Sequence, residues 1–188
     1  MTTVKIAPGA VVYSKCDLQG DITIGSHTIV HPGARIIAKG GPIVIGDCNI
    51  IEERVTILNE ERGEGQHVMT IGSNNVFEVD AHIEAMKIGD YNVIEPKAHL
   101  GYGIELTNGC IISAMNRLTG KETLPEKTVV YGSSGARRLH TEKFTSQALQ
   151  LDFLRKMFPN YHTILRPNKK PESAPSAKSE SLASPAVL

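Results

Sequence analysis

The chain has 188 residues, enough for one sizeable core or for a core with an appendage. Twenty Lys and Arg balance twenty Asp and Glu with no long basic run, which excludes a binder that works by neutralising nucleic-acid phosphates. No apolar stretch approaches the roughly 18 residues of a spanning helix, and MTTVKIAPGA at the start has no apolar leader core, so a soluble chain that is not secreted is expected.

In chain order the first signal is a repeat. An aliphatic residue returns at every sixth position from Ile6 through Val12, Leu18, Ile24, Val30 and Ile36. After a slip near Gly40, Gly41 and Pro42 the count resumes at Ile45, Ile51 and Ile57, pauses, and restarts at Ile71, Phe77 and Ile83. A one-residue deletion then shifts it to Ile88, from which it runs through Ile94, Leu100, Leu106, Ile112, Leu118 and Leu124 to Val130. Four residues after these positions stand small or modest side chains such as Ala10, Thr28, Asn75, Ala81, Asn92 and Cys110, and the position directly after the aliphatic residue is often glycine, as at Gly25, Gly46, Gly72 and Gly89.

A helix would return apolar residues at 3 or 4 and a lone strand at 2, so a period of six with turn residues in each unit means short strands joined by tight corners. Three units close one triangular coil, with aliphatic side chains inside and glycine or asparagine taking the corner angles that branched residues resist. The predicted fold class is all-β: a left-handed parallel β-helix of hexapeptide repeats with about seven coils, an exception to the right-handed crossover rule. The aromatic content of 5% and the absence of Trp agree with a core of branched aliphatic residues.

The pause, at about residues 59 to 70, is polar and glycine-rich and is expected to leave the prism as a loop, either as a spacer or as part of a site. Further on, TSQALQLDFLRKMFPNYH predicts a helix from about Thr145 to Phe158, capped by Thr145 or Ser146 and stopped before Pro159. Its apolar residues Leu149, Phe153, Leu154, Met157 and Phe158 share a face, which is expected to pack on the prism and could instead dock on a partner. From Arg166 the composition turns to Pro, Ser, Ala and Lys, a disordered tail in which Ser184, before Pro185, is the candidate phosphorylation site. The expected organisation is thus a β-helix over 1–140, a helix segment packed on it over 141–165, and a tail over 166–188.

Chemistry is sparse. Cys16, Cys48 and Cys110 lie outside any metal or redox spacing and suit reduced thiols of the cytosol or nucleus. A general base for acyl transfer could be any of His31, His67, His99 or His140 by residue type, and ARRLH at 136 to 140 is the nearest thing to a basic phosphate cluster. Solvated surface is the simpler reading of each. The stretch IGDCNIIEERVTIL followed by IGSNNVFEVDAHIEAMKIGD resembles the γ-carbonic anhydrases, whose three zinc-binding histidines fall here on Leu58, Val79 and Glu84. Leucine and valine cannot bind metal, so no metal site is expected, and His82, at the wrong offset, is expected to be a plain surface histidine.

The stretches VKIAPGAVV, GPIVIG, NNVFEV, AMKIGDYNVIE and above all LQLDFLRKMFPNYH resemble the left-handed β-helix subunits of the dynactin pointed end, from about Val4 to His162. That resemblance implies a non-enzymatic structural and adaptor subunit without cofactor, supporting dynein-driven microtubule transport and cargo binding. Its partners would be a companion β-helix subunit, a large pointed-end subunit and the pointed-end actin-related protein, with no nucleic acid and no membrane insertion. It also implies a cytoplasmic, cytoskeleton-associated location that extends to centrosome and kinetochore, and a mitotic kinase docking through the tail at Ser184. The alternative is a hexapeptide-repeat acyltransferase acting as a homotrimer.

Overall fold

The computed structural model describes residues 2–63, 65–143 and 147–165. The aliphatic repeat folds into a triangular prism whose three walls are parallel ladders. On the first wall Ile6, Ile24, Ile45, Ile71, Ile88, Leu106 and Leu124 stand in register, one per coil. The second stacks Val12, Val30, Ile51, Phe77, Ile94, Ile112 and Val130. The third stacks Leu18, Ile36, Ile57, Ile83, Leu100 and Leu118. These are the positions of the sixfold period, so the predicted left-handed β-helix of about seven coils is the fold that forms. Nearly all of these side chains are shielded from solvent in one continuous core along the prism axis. Covering one such side chain contributes about 1.5–3 kcal/mol, enough in sum to offset ordering so many corners.

The corners differ from expectation in one respect. The left-handed angles belong to the third residue after the aliphatic position, and mostly not to glycine: His27, Cys48, Arg54, Asn74, Asp80, Tyr91, Lys97, Met115 and Lys127 all have φ between 57° and 61°. The glycines that directly follow the aliphatic residues serve another need. A Cβ on Gly72 would lie 2.2 Å from Asp90 Oδ1 and 2.6 Å from the Gly89 carbonyl, and Gly25, Gly46 and Gly89 are as tightly covered by the next coil. At these corners the coils approach too closely for any side chain.

Two irregularities in the repeat turn out to be neighbours. The coil from Ile24 to Ile45 is three residues longer than the regular eighteen, and the next, to Ile71, is longer still. Gly40 and Gly41 of the first bulge lie against the backbone of Glu60 and His67, the two ends of the second. The buried Asn59 clamps both, donating from Nδ2 to the carbonyls of Gly41 at 3.0 Å and His67 at 2.7 Å. The insertion therefore leaves from a pinned base.

The second wall is closed at both ends by antiparallel strands. Ala136–Leu139 folds back on Thr128–Tyr131, and Ile164–Leu165 returns to pair with Val12 and Tyr13. Before that return the chain forms helix α1, Ala148–Tyr161. Pro159 lies inside α1 and does not stop it; the turn is held because Phe158 is buried, edge-on to His31 with ring centroids 4.7 Å apart. The helix ends at His162, which turns extended. The Thr145 or Ser146 cap and the tail with Ser184 lie outside the described residues.

Candidate functional site

Three surfaces carry the features from which a function can be argued. The first is α1. Its underside packs Leu151 and Phe158, with Leu154 beside them, onto Val11, Ile29, Ile50 and Val76 of the second wall. The expected single stripe is thereby split, because a helix 3.6 residues to the turn cannot turn an arc this wide onto a flat sheet. Leu149, Phe153, Met157 and Tyr161, spaced four apart, form a ridge on the outer side; Leu149 is 89% exposed, Phe153 60% and Tyr161 72%. A shallow apolar groove between Leu154, Met157, Phe158 and Tyr161 runs beside it.

The second surface is the two ends of the prism. Thr3–Ile6 pairs only with the strand of the next coil, and at the far end Arg117–Leu118 and Glu122–Leu124 pair on one side only among the described residues. A strand paired on one side offers a row of backbone donors and acceptors to another chain. The Arg137 guanidinium, which the sequence offered as part of a basic cluster, is occupied in an ion pair with Glu122 at this end.

The third is the outer side of the third wall, where the histidine read as plain surface has company. His82 pairs in register with Thr56 on one side and His99 on the other, and Arg117 follows. The two imidazoles stack with centroids 4.7 Å apart and planes 5° from parallel. His82 Nε2 stands 3.0 Å from Glu84 Oε1, and Arg62, reaching back from the insertion, binds the other carboxylate oxygen while lying 4.6 Å from the centre of the Tyr102 ring. Burial, with the neighbouring His82 and Arg117, holds His99 below the ordinary histidine pKa. The repeat with its one-residue deletion already sets His82 and His99 one coil apart, each directly before an inward aliphatic residue, but not the stacking of their rings or the reach of Arg62. The positions matched to anhydrase ligands do not converge with it, except for Glu84.

The remaining histidines are scattered. His31 is buried beneath α1, its Nδ1 donating to Glu53 Oε1 at 2.9 Å; His67 is exposed on the insertion; His140 bonds the Gly109 carbonyl at 2.8 Å. Burial opposes ionisation of Glu53, yet the hydrogen bond and charge of His31, with Arg54, hold its carboxyl below the usual value. Phe158 covers the His31 ring of this pair, while the Glu53 side chain stays 42% exposed. Cys16 and Cys110 have thiols pushed up by burial, Cys16 to about 11, and are poor nucleophiles.

No family model matches the chain. It is 49% identical over 172 residues to dynactin subunit 6 of Nematostella vectensis, covering 88% of this chain and 94% of that one. It is 50% identical over 173 residues to dynactin subunit 6 of Xenopus tropicalis, covering 88% and 86%. Among solved structures it is similar in fold to a hexapeptide transferase family protein of Anaplasma phagocytophilum, with a TM-score of 0.62, 16% identity, and 84% and 88% of the chains covered.

Proposed function

The chain belongs to the dynactin subunit 6 family, and we propose that it acts within dynactin as a non-catalytic scaffold and adaptor at the pointed end of the filament. The observation that carries this reading is the ridge of Leu149, Phe153, Met157 and Tyr161, an apolar line on a helix already fixed to the prism by its other face. Such a patch on a soluble chain marks a protein–protein contact. The one-sided strands at the prism ends supply a second mode of contact, suited to a companion β-helix subunit stacked end to end. The large pointed-end subunit and the actin-related protein are the other partners of this reading, and the complex would support dynein-driven transport and cargo binding in the cytoplasm, at the cytoskeleton, and at centrosome and kinetochore. Here 1–140 is the docking prism, 141–165 the helix segment and 166–188 a tail through which a mitotic kinase would dock at Ser184, the candidate phosphorylation site. The scatter of His31, His67, His99 and His140 over separate surfaces favours this reading over an acyltransferase homotrimer.

A tagged full-length chain captured from cells under native conditions tests the proposal. It should bring down the companion β-helix subunit and the actin-related protein in fixed ratio. Recovery only as a trimer of itself, with neither partner, overturns it.

A further inference from the structure

The cluster on the third wall has no part in this docking scheme, and its geometry suits a ligand of its own. His82 and Glu84 are two apart on one strand, so both project from the same side, and the register brings His99 alongside from the adjacent coil. One ligating atom from each of the three lies within 4.8 Å of the other two. Donors that share a tetrahedral zinc ion at about 2.0–2.1 Å stand roughly 3.4 Å apart, and His82 Nε2 to Glu84 Oε1 is already 3.0 Å. The stacked His99 ring must turn to bring its nitrogen to that spacing, and all three residues are only partly buried. We propose that His82, Glu84 and His99 form a binding site for a zinc-class divalent cation, contained within one chain.

The chemistry of the donors selects the ion. Two imidazoles and one carboxylate suit zinc or cobalt, while magnesium and calcium prefer oxygen ligands. Arg62 is the outer support: it holds one oxygen of Glu84 and leaves the other turned toward His82, as the hydrogen-bond partners behind metal ligands do. Arg117, next along the ladder, and Arg62 are the cations facing the cluster, and Glu60 stands near Arg62 at 3.8 Å. Leu58 and Val79 contribute no ligand, so the donor set differs from the three-histidine anhydrase arrangement.

The test is titration of the chelator-stripped full-length protein with cobalt, followed by zinc competition against a chromophoric chelator. Expected are one cobalt per chain with visible d–d absorption, and zinc affinity weakened at least tenfold by His82→Ala or His99→Ala. His27→Ala, on a different corner, should change nothing, and the metal-free melting temperature of each variant should stay that of the parent. Absence of saturable cobalt binding, equal affinity in the His82→Ala/His99→Ala double variant, or a thiolate charge-transfer band each overturns the proposal.

Discussion

Asn49, Asn75 and Asn92 occupy successive coils at one corner of the prism, all fully buried, and each side chain bonds the next. Asn75 is the centre of this ladder. Its Nδ2 donates to Asn49 Oδ1 at 3.0 Å and to the Gly89 carbonyl at 2.9 Å, and its Oδ1 accepts from Asn92 N at 2.8 Å and Asn92 Nδ2 at 3.0 Å. Asn75→Ala removes all four bonds and leaves the Gly89 carbonyl, the Asn92 amide and one Asn92 Nδ2 hydrogen without these partners inside the protein. At about 1–3 kcal/mol for each of the three stranded groups, the loss comes to roughly 3–9 kcal/mol. For a chain of this size even the lower bound is a fall of about 6–12 °C in melting temperature, at roughly 2–4 °C per kcal/mol. Circular dichroism of the sheet signal through a urea or thermal transition measures it. Because the ladder acts as a unit, Asn75→Ala and Asn92→Ala together should cost less than the sum of the two alone. A loss below about 1 kcal/mol, or strict additivity, would refute the idea that the side-chain ladder ties the coils.

Ile94→Asp places a carboxylate among the fully buried aliphatics of the second wall and should cost several kcal/mol, read as loss of the cooperative transition. Gly72→Ala forces a methyl into the backbone of the next coil and should destabilise by about 1–3 kcal/mol in the same assay. Leu149→Glu with Phe153→Glu should leave the melting temperature unchanged, since both side chains are exposed, while abolishing capture of the dynactin partners. For pH the sign follows from Glu53: its native carboxyl is held below the unfolded value, so its contribution is present above about 4.5 and is lost as pH falls through the depressed native value. Thermal melts of Glu53→Gln between pH 5.5 and 3.5 should accordingly fall less steeply than those of the parent.

How much was legible depended on whether the signal was periodic. Ile6 to Val130 announce the walls and their register because each inward position is filled by the same kind of side chain, and a prism leaves no other way to bury them. The corner residues were not legible: Cys48, Tyr91 and Lys97 in left-handed angles follow no residue preference and are imposed by coil closure. The asparagines at the fourth position read as small residues, since the bond from one to the next exists only once the coils are stacked. The helix was legible from its apolar spacing, but which part of the arc meets the prism was not, because that depends on where Phe158 finds His31. His82 and His99 were legible as neighbours on successive coils from the shortened repeat, but their ring stacking depends on side-chain rotation that no spacing encodes.

The central claim is that the chain works as part of dynactin, and sedimentation of a native cell extract through a sucrose gradient tests it most directly. Blotted in the same fractions, the chain should co-migrate with dynactin's actin-related filament, far below the position of a free protein of 20.4 kDa. A separate slow peak near three chain masses, with none in the dynactin fractions, would contradict the account.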